Sequence, residues 1–122
     1  MERFSQEDFV MRLEEFSLRC KKLTDSLFKN ASNKIYGLQL IRSSSSVYAN
    51  YLEATCALTK RDFTNDVNKS RKEAKESHGW LRLIYKTNDE KIQTRMKDLL
   101  QESEEIIKIL SSSVKTAKKN KD

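Results

Sequence analysis

Residues that interrupt helices are scarce in this chain of 122 residues, which contains no proline and only two glycines. Proline removes a backbone donor and glycine weakens a helix, so their scarcity favours long, uninterrupted helices. The chain also lacks an apolar run of the roughly 18 residues that a membrane span requires. Apolar residues make up 37% of the chain and charged residues 34%, a balance that predicts one all-α domain without a membrane segment.

Residues with catalytic or metal-binding chemistry are equally few. Cys20 and Cys56 are isolated thiols whose spacing suits neither a disulfide framework nor a zinc site. His78 is the only histidine, and Lys75 stands where a di-metal bundle would carry the glutamate of its Glu-x-x-His pair. We therefore expect a protein that is not an enzyme, with no catalytic residue, no metal and no cofactor. The N-terminal sequence lacks the charged and then apolar layout of a signal peptide, which predicts a cytoplasmic location.

Apolar residues recur every three or four positions through four segments, as they do on one face of a helix. The predicted helices cover about residues 6–29, 33–58, 60–86 and 89–116, and a frayed basic tail follows over 117–122. The apolar face of the second helix is expected to extend as far as Leu58. Because short connections between long helices make neighbours antiparallel, the predicted fold is an up-down-up-down four-helix bundle in a single domain.

Four consecutive serines lie inside the second of these helices, at residues 43–46. Ser44 falls on its apolar face, and Ser70 and Ser77 fall on the apolar face of the third helix. Small side chains allow two helix backbones to approach closely, and a serine hydroxyl can bond the carbonyl one turn earlier. We interpret these serines as a close crossing between the two helices and not as catalytic nucleophiles.

A second apolar arc on the same helix adjoins the first and contains Ile41, Tyr48 and Leu52. The combined arc is wider than the core of one bundle needs, which indicates a subunit interface. The alternative is that the Tyr48 side packs on the first or fourth helix of the same chain, and the sequence favours neither.

Basic residues give the chain a formal net charge of +6 and concentrate in the third helix and the C-terminal tail. The acidic residues Asp66, Glu73 and Glu76 dilute this charge within the third helix. A basic surface of this kind favours phosphate backbones or acidic partners. The candidate nucleic-acid-binding residues are Arg61, Lys69, Lys72, Lys75, Arg82 and Lys86 on the helix, and Lys115, Lys118, Lys119 and Lys121 near the C-terminus.

The stretch "QLIRSSSSVYANYLEA" at residues 39–54 resembles the signature of a four-helix-bundle family encoded in intervening sequences of bacterial 23S rRNA genes. Residues 63–88 resemble the third helix of that family, and the resemblance covers about residues 5–110. Tyr48 and Ala54 stand where the family usually has proline and glycine, and the missing glycine is expected to lengthen the second helix. The matching motif residues are Gln39, Leu40, Arg42, Ser43, Ser46, Ala49, Asn50 and Glu53, with Phe63, Ala74, Glu76, Trp80 and Leu81 downstream.

The resemblance implies a homo-oligomer, expected as a pentameric ring or barrel. It extends more distantly to the accessory variability protein of diversity-generating retroelements, which forms a positively charged pentameric barrel and binds nucleic acid and a reverse transcriptase. RNA or DNA, and a reverse transcriptase or another protein, are therefore the expected partners. Asn50 and Glu53 lie one turn apart, and we expect them to bond a neighbouring helix.

Two functions follow from these observations. The first is a non-enzymatic oligomeric adaptor that binds RNA or DNA through its basic surface, largely through phosphates. No aromatic residues interleave with the basic ones to stack bases, and Trp80 is expected in the core or an interface. The alternative is an oligomeric structural or protein-interaction scaffold that does not bind nucleic acid directly.

Overall fold

The structure is a computed structural model that describes residues 4–119. These residues form four α-helices: α1 (Gln6–Ser26), α2 (Ala31–Thr55), α3 (Lys60–Thr87) and α4 (Glu90–Lys119). No strand occurs within this range, which confirms the predicted all-α, four-helix fold. None of the helices in the described range is both long and apolar enough to cross a membrane.

Polar side chains just before each helix fix where it begins. Ser5, Asn30, Thr59 and Asp89 each accept a hydrogen bond from the backbone amide three residues further on. The first amides of a helix have no partner inside it, so an acceptor at this position stabilises the first turn.

The first connection lies earlier than the sequence predicted and is one residue longer, over residues 27–30 in place of 30–32. α1 ends at Ser26 and not near residue 29, because Leu27 already has extended backbone angles. Asn30 then caps α2, which begins at Ala31 and not at residue 33. The asparagine cap therefore sets the start of α2.

The prediction that Leu58 continues the apolar face of α2 is wrong, because Leu58 is 97% exposed. The amides of Cys56 and Ala57 bond the carbonyls three residues earlier, which tightens and ends the helix at Thr55. Ala54, in place of the family glycine, does not lengthen the helix as we expected. The cap at residue 59 fixes the start of α3 at Lys60, so the turn between α2 and α3 has only four residues.

α4 continues to Lys119, beyond the predicted end near residue 116. The expectation of a frayed tail is wrong for residues 117–119, which are helical, and residues 120–122 lie outside the described part of the chain. Ala117 is partly buried, so the last turn of α4 still lies against the bundle.

Consecutive helices pack side by side, and α1 closes the bundle against α4. The rings of Phe9 and Tyr51 meet edge to face, with their centroids 4.8 Å apart, near the start of α1 and the end of α2. Further along α1, Cys20 contacts Ser44, which lies earlier in α2 than Tyr51, so α1 and α2 are antiparallel. The contact between α2 and α3 is the most extensive in the bundle.

Gly37 of α2 lies directly against Thr24 of α1. A Cβ atom at this position would lie 2.4 Å from Cγ2 of Thr24, so any larger residue requires a shift. The Thr24 hydroxyl donates to the Cys20 carbonyl over 3.0 Å, which holds the side chain in place. Gly79 on α3 differs, because within residues 4–119 an added Cβ would meet no atom of another helix within 4 Å.

Candidate nucleic-acid interface

Buried serine side chains line the contact between α2 and α3. The Ser70 hydroxyl donates to the Val47 carbonyl over 2.7 Å, and the Ser77 hydroxyl donates to the Ser43 hydroxyl over 2.8 Å. All three serines are fully buried, and each hydroxyl has a hydrogen-bond partner. The predicted contact between the serines of α2 and α3 is present, but Ser43 supplies the α2 hydroxyl and not Ser44, which contacts Cys20 of α1. Ser43 of the family motif is therefore a structural group within this contact.

Arg42 joins the outer edge of this serine contact. Its guanidinium bonds one carboxylate oxygen of Glu73 at 3.3 Å and also pairs with Glu76. Its Nε atom donates to the side-chain oxygen of Gln39 over 3.0 Å. The indole of Trp80 donates to the same Glu76 carboxylate over 3.3 Å. Arg42 therefore binds α2 to α3, and Gln39 of the same helix holds the guanidinium.

Glu73 and Glu76 lie one helical turn apart and share this single arginine. Burial, together with a hydrogen bond to Glu76, raises the pKa of Glu73, and the charge of Arg42 opposes the shift. The arginine thus offsets negative charge that would otherwise reduce the basic character of α3. Of the three acidic residues noted within the basic segment, Glu73 and Glu76 contact α2 through Arg42.

Six basic side chains of α3 project away from the bundle and define what we call the basic face of α3. Each of the six is exposed, and none forms an ion pair with any part of the chain in residues 4–119. At 1.5 Å per residue, they extend over roughly 38 Å of the helix. The basic face consists of Arg61, Lys69, Lys72, Lys75, Arg82 and Lys86.

The predicted lysines near the C-terminus lie at one end of this basic face. Thr116 and Ala117 of α4 line the same cleft as Lys60 and Phe63 of α3, so the end of α4 lies beside the start of α3. The remaining candidate of the tail is residue 121, which lies outside the described part of the chain. The described lysines of this group, all exposed, are Lys115, Lys118 and Lys119.

The remaining motif residues have local roles. Asn50 donates to the Ser46 carbonyl of its own helix over 2.9 Å, so the expectation that it bonds a neighbouring helix is wrong. The bond forms within α2 because that carbonyl lies one turn earlier on the same side. Glu53 is exposed. Trp80 is partly buried against the core, with its ring centroid 6.0 Å from that of Tyr36, as expected for a packing residue.

Apolar residues on α2 form a row that the core does not cover completely. Leu38 is 59% exposed and Leu52 is 41% exposed, while Ile41 and Tyr48 between them are partly buried. Tyr48 also packs against the core of its own chain. These four residues, the outer apolar row of α2, therefore combine packing within the chain with an apolar surface that faces outward.

Sequence reasoning missed a contact between His78 and Ser103, which lie on facing helices. Nδ1 of His78 lies 2.8 Å from the Ser103 hydroxyl, and Nε2 lies 3.9 Å from a Glu104 carboxylate oxygen. Ser103 is 1% exposed, and its hydroxyl donates to the Leu100 carbonyl over 2.7 Å. The Ser103 hydroxyl is therefore not accessible to a substrate. Only the antiparallel register of α3 and α4 brings the pair together. Within residues 4–119 no three histidine, cysteine or acidic side chains converge on a metal position.

Comparison with known proteins relates this bundle to one family. A profile described as 23S rRNA-intervening sequence protein matches residues 6–112. The chain belongs to this family. A crystal structure of a protein with unknown function from the S23 ribosomal protein family of Bacteroides thetaiotaomicron is 30% identical, with a TM-score of 0.78. That similarity covers 91% of this chain and 99% of the other.

Membership of the 23S rRNA-intervening sequence protein family confirms the resemblance read from residues 39–54. The comparison with curated proteins found no similar sequence. The more distant resemblance to the accessory variability protein stays a prediction. In this family member, the motif residues Gln39, Arg42 and Ser43 serve the contact between α2 and α3.

Proposed function

We propose that this member of the 23S rRNA-intervening sequence protein family is a non-enzymatic, oligomeric adaptor that binds RNA or DNA. The basic face of α3 is the surface that makes the contact. One observation carries this proposal: six cations are exposed on one side of a single helix, and none is paired with an acid in residues 4–119. Glu73 and Glu76, which lie beside Lys72 and Lys75 in the sequence, are bound to Arg42.

Phosphate contact explains why such a surface binds nucleic acid. Each lysine or arginine that neutralises a phosphate releases condensed counterions, so the binding free energy depends on salt concentration. Phosphates carry no base identity, so we expect weak sequence preference. Several copies of the basic face in one oligomer would contact one nucleic acid together. Their combined binding would increase the affinity of the oligomer, although each face makes the same contacts as before.

A mobility-shift titration at ~50 and ~200 mM salt tests the proposal, because phosphate contacts lower log K by roughly 0.7 to 0.9 per contact for each unit of log salt. The wild-type protein is expected to bind at the lower salt and to lose affinity steeply at the higher. The double variant Lys72→Glu/Lys75→Glu is expected to bind all sequences more weakly, and Lys118→Glu/Lys119→Glu is expected to show a smaller loss.

The matched control is Lys22→Glu/Lys91→Glu, which makes the same change in net charge at two exposed positions away from the basic face. A control that loses as much affinity as the Lys72/Lys75 variant would mean that net charge matters and the basic face does not. Absence of wild-type binding at ~50 mM salt would remove the proposal, because phosphate contacts are strongest there.

Oligomer formation is the second part of the proposal, and a pentamer is the expected state. The outer apolar row of α2 supports it, because Leu38 and Leu52 leave large apolar surfaces uncovered. We expect Leu38→Glu/Leu52→Glu to dissociate the oligomer, because an interface would bury two unpaired charges. Light scattering measures the mass. Met11→Glu is the control, because Met11 is 65% exposed on α1.

A scaffold that binds protein and not nucleic acid is the alternative function. A mainly apolar cleft of about 650 Å³ at the start of α3 and the end of α4 favours it. Phe4 and Phe63 line this cleft, and Lys60 and Lys108 contribute to its wall. An oligomer that stays intact and binds no nucleic acid at low salt would favour the scaffold.

A further inference from the structure

Two glycines occur in the chain, and only one of them is required by contacts within it. Gly37 must be small, because a Cβ would lie 2.4 Å from Thr24. Gly79 has open space around its equivalent position. Yet Gly79 lies inside the 28-residue helix α3, where glycine weakens the helix relative to alanine. Packing within the chain therefore does not explain this residue.

The surroundings of Gly79 indicate what approaches it. Lys72 and Lys75 precede it by seven and four residues, and Arg82 and Lys86 follow it by three and seven. Residues at these spacings share one side of a helix, so the glycine is a gap between two pairs of exposed cations. A side chain in this gap would hold an approaching backbone away from the helix surface.

We propose that the sugar-phosphate backbone of a double-helical nucleic acid crosses α3 at Gly79. Lys72 and Lys75 contact phosphates on one side of the crossing, and Arg82 and Lys86 contact phosphates on the other. This inference rests on the proposed nucleic-acid binding and adds both the point of closest approach and the form of the ligand.

The form of the ligand follows from the aromatic residues of α3. Proteins that bind single strands usually stack bases on exposed aromatic rings. The aromatic residues of α3, Phe63, Trp80 and Tyr85, are instead partly buried against the core. The exposed side that contains Gly79 carries these cations beside Leu83 and Glu76, which is bound to Arg42, and it presents no exposed ring. Such a surface suits the continuous phosphate rows of a duplex.

Substitutions of Gly79 test whether the glycine serves nucleic-acid binding or the stability of the bundle. Alanine is the better helix former and meets nothing in the chain, so Gly79→Ala is expected to raise Tm by a few degrees. The same variant is expected to bind a ~20-base-pair RNA duplex more weakly, with a salt slope smaller by about one phosphate contact. Gly79→Leu is expected to weaken binding further. Wild-type protein is expected to bind the duplex more tightly than an oligouridine strand of equal length.

Thr94→Leu is the control, because Thr94 is exposed on α4 outside the basic face. Wild-type affinity in both Gly79 variants would overturn the inference and leave the proposed function intact. Tighter binding to oligouridine than to the duplex would overturn the assignment of a double-helical ligand. A Gly79 variant with a changed oligomer mass would overturn the crossing point, because the glycine would then serve a subunit contact. Lack of any wild-type binding would remove the proposed function itself.

Discussion

The hydroxyl of Ser77 in α3 donates to the hydroxyl of Ser43 in α2 over 2.8 Å, and both side chains are fully buried. The same hydroxyl lies 2.9 Å from the Glu73 carbonyl oxygen of its own helix, so it still has a hydrogen-bond acceptor if Ser43 changes. The pair shows that small size, more than hydrogen bonding, is what this position requires.

Substitutions of Ser77 should therefore depend on volume. We expect Ser77→Ala to cost about 1 kcal/mol or less, the usual value of one neutral hydrogen bond. Ser77→Leu should cost about 1 to 3 kcal/mol, because it overpacks a fully buried position in the contact between α2 and α3. Urea unfolding of both variants measures the difference. Equal losses would contradict the assignment of a size-limited contact.

Gly37→Ala is expected to destabilise the bundle by about 1 to 3 kcal/mol, because the new Cβ would overlap Cγ2 of Thr24. The second substitution Thr24→Ser removes that methyl group and keeps the hydroxyl that bonds the Cys20 carbonyl. We expect the double variant to recover most of the loss in a thermal melt. If Thr24→Ser did not restore the lost stability, the clash with the Thr24 methyl group would not be its cause.

Helical periodicity predicted the fold well, because a buried stripe repeats at the period of the helix itself. It failed at Leu58, which has the right spacing but falls in a turn that the Thr59 cap creates. At a helix end, the apolar periodicity and a capping residue can indicate different boundaries. Here the hydrogen bond of the cap determines where the chain turns.

The site was less predictable, because its contacts depend on how the helices are placed relative to each other. Arg42 was recognised as a motif residue, but its pairing with Glu73 and Glu76 requires the register of α2 on α3. The contact of His78 with Ser103 likewise requires the register of α3 on α4. The basic face was predictable, because exposure on one helix follows from periodicity alone.

Loss of Arg42 should make stability depend on pH. Burial and Glu76 raise the pKa of Glu73, and Arg42 opposes that rise. A carboxyl whose pKa is higher in the folded state binds its proton more tightly there, so its contribution to stability is lost as pH rises through the folded pKa. We therefore expect Arg42→Gln to lower stability more at pH 7 than at pH 4, measured by urea unfolding.

Solvent screening limits the size of this effect, because the Arg42 side chain is 46% exposed. The loss of stability at pH 7 should therefore be about 1 kcal/mol. Addition of Glu73→Gln to the Arg42→Gln variant should remove most of the pH dependence, since the titrating carboxyl is then absent. If the stability of this double variant still depended on pH, a titrating group other than Glu73 would be responsible.

The two cysteines should differ sharply in reactivity. Burial raises the pKa of the Cys20 thiol to about 12, whereas Cys56 is exposed. The thiolate is the reactive form, so at pH 8 the folded protein should consume one equivalent of a thiol reagent quickly and the second only as it unfolds. Cys56→Ser should abolish the fast reaction and leave the slow one. Fast labelling of Cys20 in that variant would mean that α1 separates from α2 in the folded state.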